Sequence, residues 1–319
     1  MPAVDMNLEK LKEYTGSNPR PLDFDDYWDS ALEEMHSVNA DVELVPADFQ
    51  VPCAECFDLW FTGVRGARIH AKYLRPRNIK SKHPAILHFH GYSGNSGEWC
   101  EKLGYVAMGF SVASLDCRGQ GGLSEDTGSV KGSTFKGHIV RGIDDEPENL
   151  LFRQIFLDTA QLAGIIMNMP EVAYDRVGAM GGSQGGGLTL ACAALEPRLK
   201  QAAPYISFLS DYKRIWEMDL AKDSYEELKF YFRKFDPTHS HEDEIFTKLG
   251  YIDVQHLAAR INAQVLMGVG LMDTICPPST QFAAYNKITA KKEVIIYPDF
   301  GHEALPGFYD RTLQFMATL

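Results

Sequence analysis

No run of roughly 18 apolar residues, the length that crosses a bilayer as a helix, occurs in the chain, so a transmembrane helix is excluded. Positive charge is scarce. Against 43 Asp and Glu stand 31 Lys and Arg, a net charge of −12. Nucleic-acid binding is built on Lys and Arg contacts to phosphate, and anionic membrane surfaces select the same residues. Neither is expected as a partner. Six cysteines in 319 residues do not make a disulfide framework, and their thiols are expected to be reduced. Met1 to Lys10 contains no apolar h-region, so a secretory signal is not expected and a cytoplasmic location is. Internal repeats and low-complexity segments are missing as well.

What is present is an ordinary globular composition, 45% hydrophobic, arranged in two patterns. Phe24 to Met35 has helical periodicity. Val42–Val45, Phe57–Phe61 and Arg68–Leu74 alternate as strands do, with a turn at Gly63 to Gly66. From Pro84 the pattern becomes strands alternating with helices. Pro84–Phe89, Ser111–Leu115, Arg176–Met180, Ala202–Ile206, Ala263–Val269 and Glu293–Tyr297 read as strands, and Asn149 to Met169 as a long helix. A Gly-rich loop runs from about Cys117 to Pro147. Residues 211–249 break the alternation with Tyr212, Trp216, Tyr225, Phe230, Tyr231, Phe232 and Phe235 on expected helices, which reads as a helical insertion or lid. The expected architecture is one α/β domain over residues 1–319, with a mostly parallel central sheet covered by helices and an N-terminal extension.

The most informative stretch is Gly181-Gly182-Ser183-Gln184-Gly185, between the Arg176 strand and the apolar helix Leu188–Leu195. A G-x-S-x-G at a strand-to-helix junction is the nucleophile elbow of an α/β-hydrolase. A serine hydroxyl needs a base, and the base an orienting acid, which in this fold follow in the order Ser, Asp or Glu, His. Asp273 comes after the Val265 strand and His302 after the Val294 strand. Ser183 is therefore expected as nucleophile, His302 as general base and Asp273 as orienter. Asp299, close to His302 in sequence, is the alternative acid. It lacks the position just past the preceding strand.

The oxyanion of such a reaction is held by backbone N–H groups, one from the residue after the nucleophile and one from the loop after the third strand of the fold. Gln184 and Tyr92, in His90-Gly91-Tyr92-Ser93-Gly94, fill those places. The bulk of Tyr92 beside the acyl site also makes it a candidate substrate-binding residue that leaves room for a methyl group. His88 and His90 share a strand face but have no partner set for a metal, so hydrogen bonding is the expected role. Cys53 and Cys56 form a C-x-x-C with no second pair and outside a βαβ start, which points to neither zinc nor redox chemistry.

Arg118-Gly119-Gln120, Gly181-Gly182-Ser183-Gln184-Gly185 and His302-Glu303, in that order, resemble carbohydrate esterase family seven, the acetyl xylan esterases and cephalosporin C deacetylases. The resemblance extends to Pro21–Trp28, His90-Gly91-Tyr92 and Phe208–Tyr212. It implies a serine esterase that removes acetyl groups from acetylated xylo-oligosaccharides, cephalosporin C and small acetyl esters, with no metal or organic cofactor. It further implies a cytoplasmic homohexamer, with Ser183, Asp273 and His302 as triad and Tyr92 and Gln184 as oxyanion hole. Arg118, Gln120 and Glu303 would support the site, and the expected link is an ion pair from Arg118 to Glu303. On chemistry alone, a general carboxylesterase or an acyl-peptidase is the alternative.

Overall fold

The computed structural model describes residues 4–79, 81–130 and 137–319. Met1 to Ala3 and the part of the Cys117–Pro147 loop at 131–136 lie outside the described residues. Two helices open the chain, α1 (Leu8–Glu13) and α2 (Phe24–Ser37). Asn7 caps α1 by accepting from the Lys10 N–H. On α2, Phe24, Tyr27, Trp28, Ala31 and Met35 repeat at helical spacing and are all buried, so this helix is fixed by one apolar face. An antiparallel meander follows: β1 (Glu43–Pro46), β2 (Ala54–Thr62) and β3 (Arg68–Pro76).

The chain then alternates. It runs β4 (His83–Phe89), α3 (Leu103–Ala107), β5 (Ser111–Leu115), α4 (Leu151–Met167), β6 (Val172–Gly182), α5 (Gln184–Leu195) and β7 (Gln201–Tyr205). Residues 211–249 carry α6 (Tyr212–Glu217), α7 (Glu226–Phe235) and α8 (Glu242–Leu249), as the aromatic pattern leads one to expect. The short α9 (Val254–Leu257), β8 (Gln264–Gly270), α10 (Pro278–Lys287), β9 (Lys292–Tyr297) and α11 (Phe308–Met316) complete it.

Among the described residues the strands form one sheet in the order β1-β2-β3-β5-β4-β6-β7-β8-β9. Pairings from β5 through β9 are parallel, and those among β1, β2, β3 and β5 antiparallel. This is the α/β-hydrolase arrangement of a mixed, mostly parallel sheet with helices on it. The parallel strands read as continuous apolar runs because helices cover both faces. Both α4 and α5 are buried along nearly their whole length. Tyr212, Tyr225, Leu228, Phe232 and Phe246 of the 211–249 segment are buried in the main core with Phe208 and Phe156, while Phe235 is exposed. No helix of the described residues is long and apolar enough to cross a membrane.

Candidate active site

β6 ends at Gly182 and α5 begins at Gln184, which leaves Ser183 alone at the junction. Its backbone stands at φ 55°, ψ −120°, a left-handed region that L-residues rarely occupy. The flanking glycines make the turn possible. A Cβ on Gly185 would sit 2.0 Å from the Phe89 carbonyl oxygen, and one on Gly181 2.6 Å from the same atom. The Ser183 N–H donates to Tyr205 O at 3.0 Å, and Ser183 O accepts from the Phe208 N–H at 3.0 Å, so the strained residue is tied at both ends.

The three residues expected from the order of motifs come together at the carboxyl ends of β6, β8 and β9. Ser183 Oγ lies 2.9 Å from His302 Nε2, and His302 Nδ1 lies 2.8 Å from Asp273 Oδ2. A carboxylate only accepts, so the imidazole proton sits on Nδ1 and Nε2 is left to accept the Ser183 hydroxyl proton. Asp273 is fully buried, and its other oxygen accepts the N–H groups of Ile275 at 2.9 Å and Cys276 at 2.8 Å. Asp299 is exposed on the turn after β9, and the carboxylate that meets His302 Nδ1 is that of Asp273.

Gln184 and Tyr92 are the two residues expected to present N–H groups to the oxyanion. Gln184 opens α5, where first-turn N–H groups have no intrahelical acceptor. Among the described residues the Tyr92 N–H has no hydrogen-bond acceptor either. Gln120 bridges the two segments. Its Nε2 donates to Gln184 Oε1 at 2.9 Å, the Gln184 Nε2 donates back to Gln120 Oε1 at 3.0 Å, and the Ser93 N–H donates to Gln120 Oε1 at 2.9 Å. His90 braces the start of the same loop. Its Nδ1–H donates to Gly91 O at 2.7 Å and its Nε2 accepts the Cys117 N–H at 3.0 Å, a neutral ring whose pKa burial lowers. His88 lies 3.2 Å from Ser114 Oγ, so both histidines serve hydrogen bonding.

Arg118 does not meet Glu303. Its guanidinium turns back to α4 and grips Asp158 with two bonds, Nε to Oδ2 at 2.7 Å and Nη2 to Oδ1 at 2.6 Å. Both residues are about 1% exposed. Burial raises the Asp158 pKa against the pull of Arg118. Glu303 is exposed and needs no cation, and its Oε1 accepts the Gly301 N–H at 3.0 Å within its own turn. The fixed charge in need of a partner was Arg118, and a buried carboxylate on a helix satisfies it.

The Tyr92 hydroxyl donates to Glu227 Oε1 on α7 at 2.5 Å, and its ring packs edge-on against Phe208 and His138. A cavity of about 700 Å³ reaches Ser183, with Gly91, His90, Tyr205, Ile206 and Tyr309 among its walls, and the Tyr92 ring is not one of them. Three residues that sequence reasoning missed support the loops: Asp158, Glu227 and Asp116. Asp116 accepts from the Ser96 N–H at 2.5 Å, the Leu123 N–H at 2.9 Å and His70 Nδ1–H at 2.6 Å. For Glu227 a signal existed, since it shares a helical face with Leu228, Tyr231 and Phe232, all buried.

Asp273, Cys276 and His302 form, among the described residues, the one group whose donor atoms cluster closely enough to hold a metal ion. Both His302 nitrogens are already engaged, and burial together with Asp273 pushes the Cys276 thiol well up, which disfavours the thiolate a metal needs. Cys53 is exposed and Cys56 buried, and all six cysteines are free.

The acetyl xylan esterase family model matches residues 1–319. Acetyl xylan esterase 1 from Thermoanaerobacterium sp. JW/SL YS485 is 63% identical, with a TM-score of 0.97 over 98% of this chain and 99% of that one. Acetyl xylan esterase from Paenibacillus sp. R4 is 35% identical, with a TM-score of 0.94 over the same shares. The acetyl esterase Axe7A of Xylanibacter ruminicola is 26% identical over 92% of this chain, which spans 66% of that relative's length.

Proposed function

The chain belongs to the acetyl xylan esterase family, a family of carboxylic ester hydrolases, and from that membership we propose that it removes acetyl groups from acetylated xylo-oligosaccharides through a covalent acetyl-enzyme. The observation that carries this reading is the unbroken relay Ser183 Oγ, His302 Nε2 and Nδ1, Asp273 Oδ2 at 2.9 and 2.8 Å. Ser183 Oγ attacks the acetyl carbonyl carbon while His302 Nε2 takes its proton. The Tyr92 and Gln184 N–H groups meet the carbonyl oxygen as it becomes an oxyanion. Collapse breaks the bond to the sugar oxygen, which leaves as the alcohol with the proton from His302. Water, deprotonated by the same nitrogen, then attacks the acetyl carbon and releases acetate. Asp273 keeps the Nδ1 tautomer and stabilises the imidazolium.

Cephalosporin C and small acetyl esters belong to the same reading, as does a cytoplasmic homohexamer, whose mass sedimentation velocity would report. The deciding experiment is a panel of acetylated sugars, cephalosporin C and 4-nitrophenyl esters of rising acyl length, with an aminoacyl amide beside them. Ser183→Ala is the blank, and fluorophosphonate labelling of Ser183 is the chemical check. Hydrolysis of acetyl esters, lost with labelling in Ser183→Ala, is the expected result. Preference for the amide points to an acyl-peptidase, and equal rates on acetate and butyrate to a general carboxylesterase.

A further inference from the structure

Glu227 is a carboxylate in the wrong place for a surface helix. It lies in the first turn of α7, 3% exposed, with its neighbour Leu228 also buried. Several donors surround it. The Tyr92 hydroxyl reaches Oε1 at 2.5 Å and the His138 N–H the same oxygen at 3.2 Å. The Val140 N–H reaches Oε2 at 2.9 Å, and the Ile139 N–H also bonds to the carboxylate. Gly137, at φ 89°, brings bare backbone against it: a Cβ there would lie 2.3 Å from the carboxylate carbon. Burial pushes the Glu227 carboxyl up to about 7 in spite of these donors. An apolar side chain would fill the space without that cost, so the carboxylate is there for what it holds.

What it holds is Tyr92. The phenol is pinned at its tip by Glu227, and its ring by His138 at 5.0 Å and Phe208 at 5.5 Å between centroids. The Phe208 N–H in turn donates to Ser183 O at 3.0 Å. The His138 N–H also reaches the Tyr92 hydroxyl at 3.1 Å, which closes a small ring of bonds. The backbone of Tyr92 is therefore fixed from two directions: Gln120 through the neighbouring Ser93 N–H, and α7 through the Tyr92 side chain. An N–H meant for a developing oxyanion must be set before the reaction starts, because reorganisation during it would raise the barrier.

We propose that Glu227 is a positioning residue for ester hydrolysis, which acts through the Tyr92 hydroxyl to hold the Tyr92 N–H where the oxyanion forms. The inference rests on the serine-esterase reading above. It also gives the 211–249 segment a defined role, with α7 fastening the oxyanion loop.

The experiment compares Glu227→Leu, which keeps the bulk and removes the acceptor, Tyr92→Phe and the double variant with the parent on 4-nitrophenyl acetate. It measures kcat and KM separately, alongside thermal melting and fluorophosphonate labelling of Ser183. Either single change is expected to lower kcat by roughly tenfold to a hundredfold with KM within about twofold, since a small misplacement at a reacting centre has that effect. The double variant is expected to fall no further, because both changes cut one link. Parental kcat in a folded Tyr92→Phe protein overturns the proposal, as does a full product of the two single losses in the double variant. If Glu227→Leu does not fold, Tyr92→Phe decides alone. Failure of the esterase reading itself shows differently, as acetyl ester turnover that survives in Ser183→Ala.

Discussion

Gln120 and Gln184 bond to each other head to tail, each amide nitrogen donating to the other's oxygen, at 2.9 and 3.0 Å. Gln184 is fully buried behind the nucleophile, and Gln120 Oε1 also accepts the Ser93 N–H. One carboxamide therefore sets the spacing between the two segments that present the proposed oxyanion donors. Gln120→Leu keeps the bulk and removes all three bonds. A fall of roughly tenfold in kcat on acetyl esters is expected, with KM little changed, because the loss is felt where charge develops. Steady-state kinetics on 4-nitrophenyl acetate check it, and an unchanged kcat would show the clamp to be idle.

Arg118 and Asp158 give a second prediction, on stability. Each is buried and each is the other's counter-charge, so removal of one strands the other. Arg118→Met is expected to cost about 3–5 kcal/mol in urea unfolding. Asp158, its pKa already raised by burial, should take up a proton and recover part of that loss as pH falls. The double change Arg118→Met with Asp158→Leu should be less damaging than Arg118→Met alone. A double variant weaker than either single one would contradict this account of the pair.

The strands and the hydrogen-bonded row of Ser183, His302 and Asp273 are legible in the chain, and the supporting residues are not, for separate physical reasons. Apolar runs such as Ala85–Leu87 and Val265–Val269 mark strands because helices cover both faces of the parallel sheet. Ser183, Asp273 and His302 stand out because the fold delivers each just past a strand, in fixed order. The partner of Arg118 does not stand out. Asp158 sits on a largely apolar helix and says nothing of where it points, while Glu303 is adjacent to the base and attracts the assignment by proximity. Glu227 stands in Glu226-Glu227-Leu228-Lys229, which reads as a solvated helix face until the burial of Leu228, Tyr231 and Phe232 shows which way that face turns. Local patterns report which side of an element is buried, and only the assembled fold reports which charges meet there.

Asp116, just before the Arg118-Gly119-Gln120 motif, carries a pH dependence. Burial raises its pKa, but the His70 imidazole and the N–H groups of Leu123 and Ser96 outweigh that and bring it from 3.8 to about 2. A carboxylate whose folded value is depressed adds stability above its unfolded pKa and loses it as pH falls through the folded one. That shift corresponds to about 2 kcal/mol, present at neutral pH and lost between about pH 4 and pH 2. Asp116→Asn is expected to unfold at lower urea concentration at pH 7, with the gap to the parent closing over that window. A gap that stays constant down to pH 2 would mean the carboxylate charge is not what stabilises the loops.

Asp273→Asn separates geometry from charge at the base. The carboxamide oxygen can still accept from Ile275 and Cys276, so the β8 loop has no reason to move. Its nitrogen then faces His302 Nδ1, and an amide nitrogen only donates. To accept that bond the imidazole must shift its proton to Nε2, the atom 2.9 Å from Ser183 Oγ. With Nε2 protonated the serine has no base, although every heavy atom is in place. The expected result is a loss of about 10⁴ in kcat for acetyl esters, the size of effect a wrong tautomer produces in such relays, with thermal stability close to the parent's. Fluorophosphonate labelling of Ser183 should slow in parallel, because it draws on the same base. Near-parental turnover in a folded Asp273→Asn protein would remove Asp273 from the orienting role and send the search to another acceptor for the His302 proton.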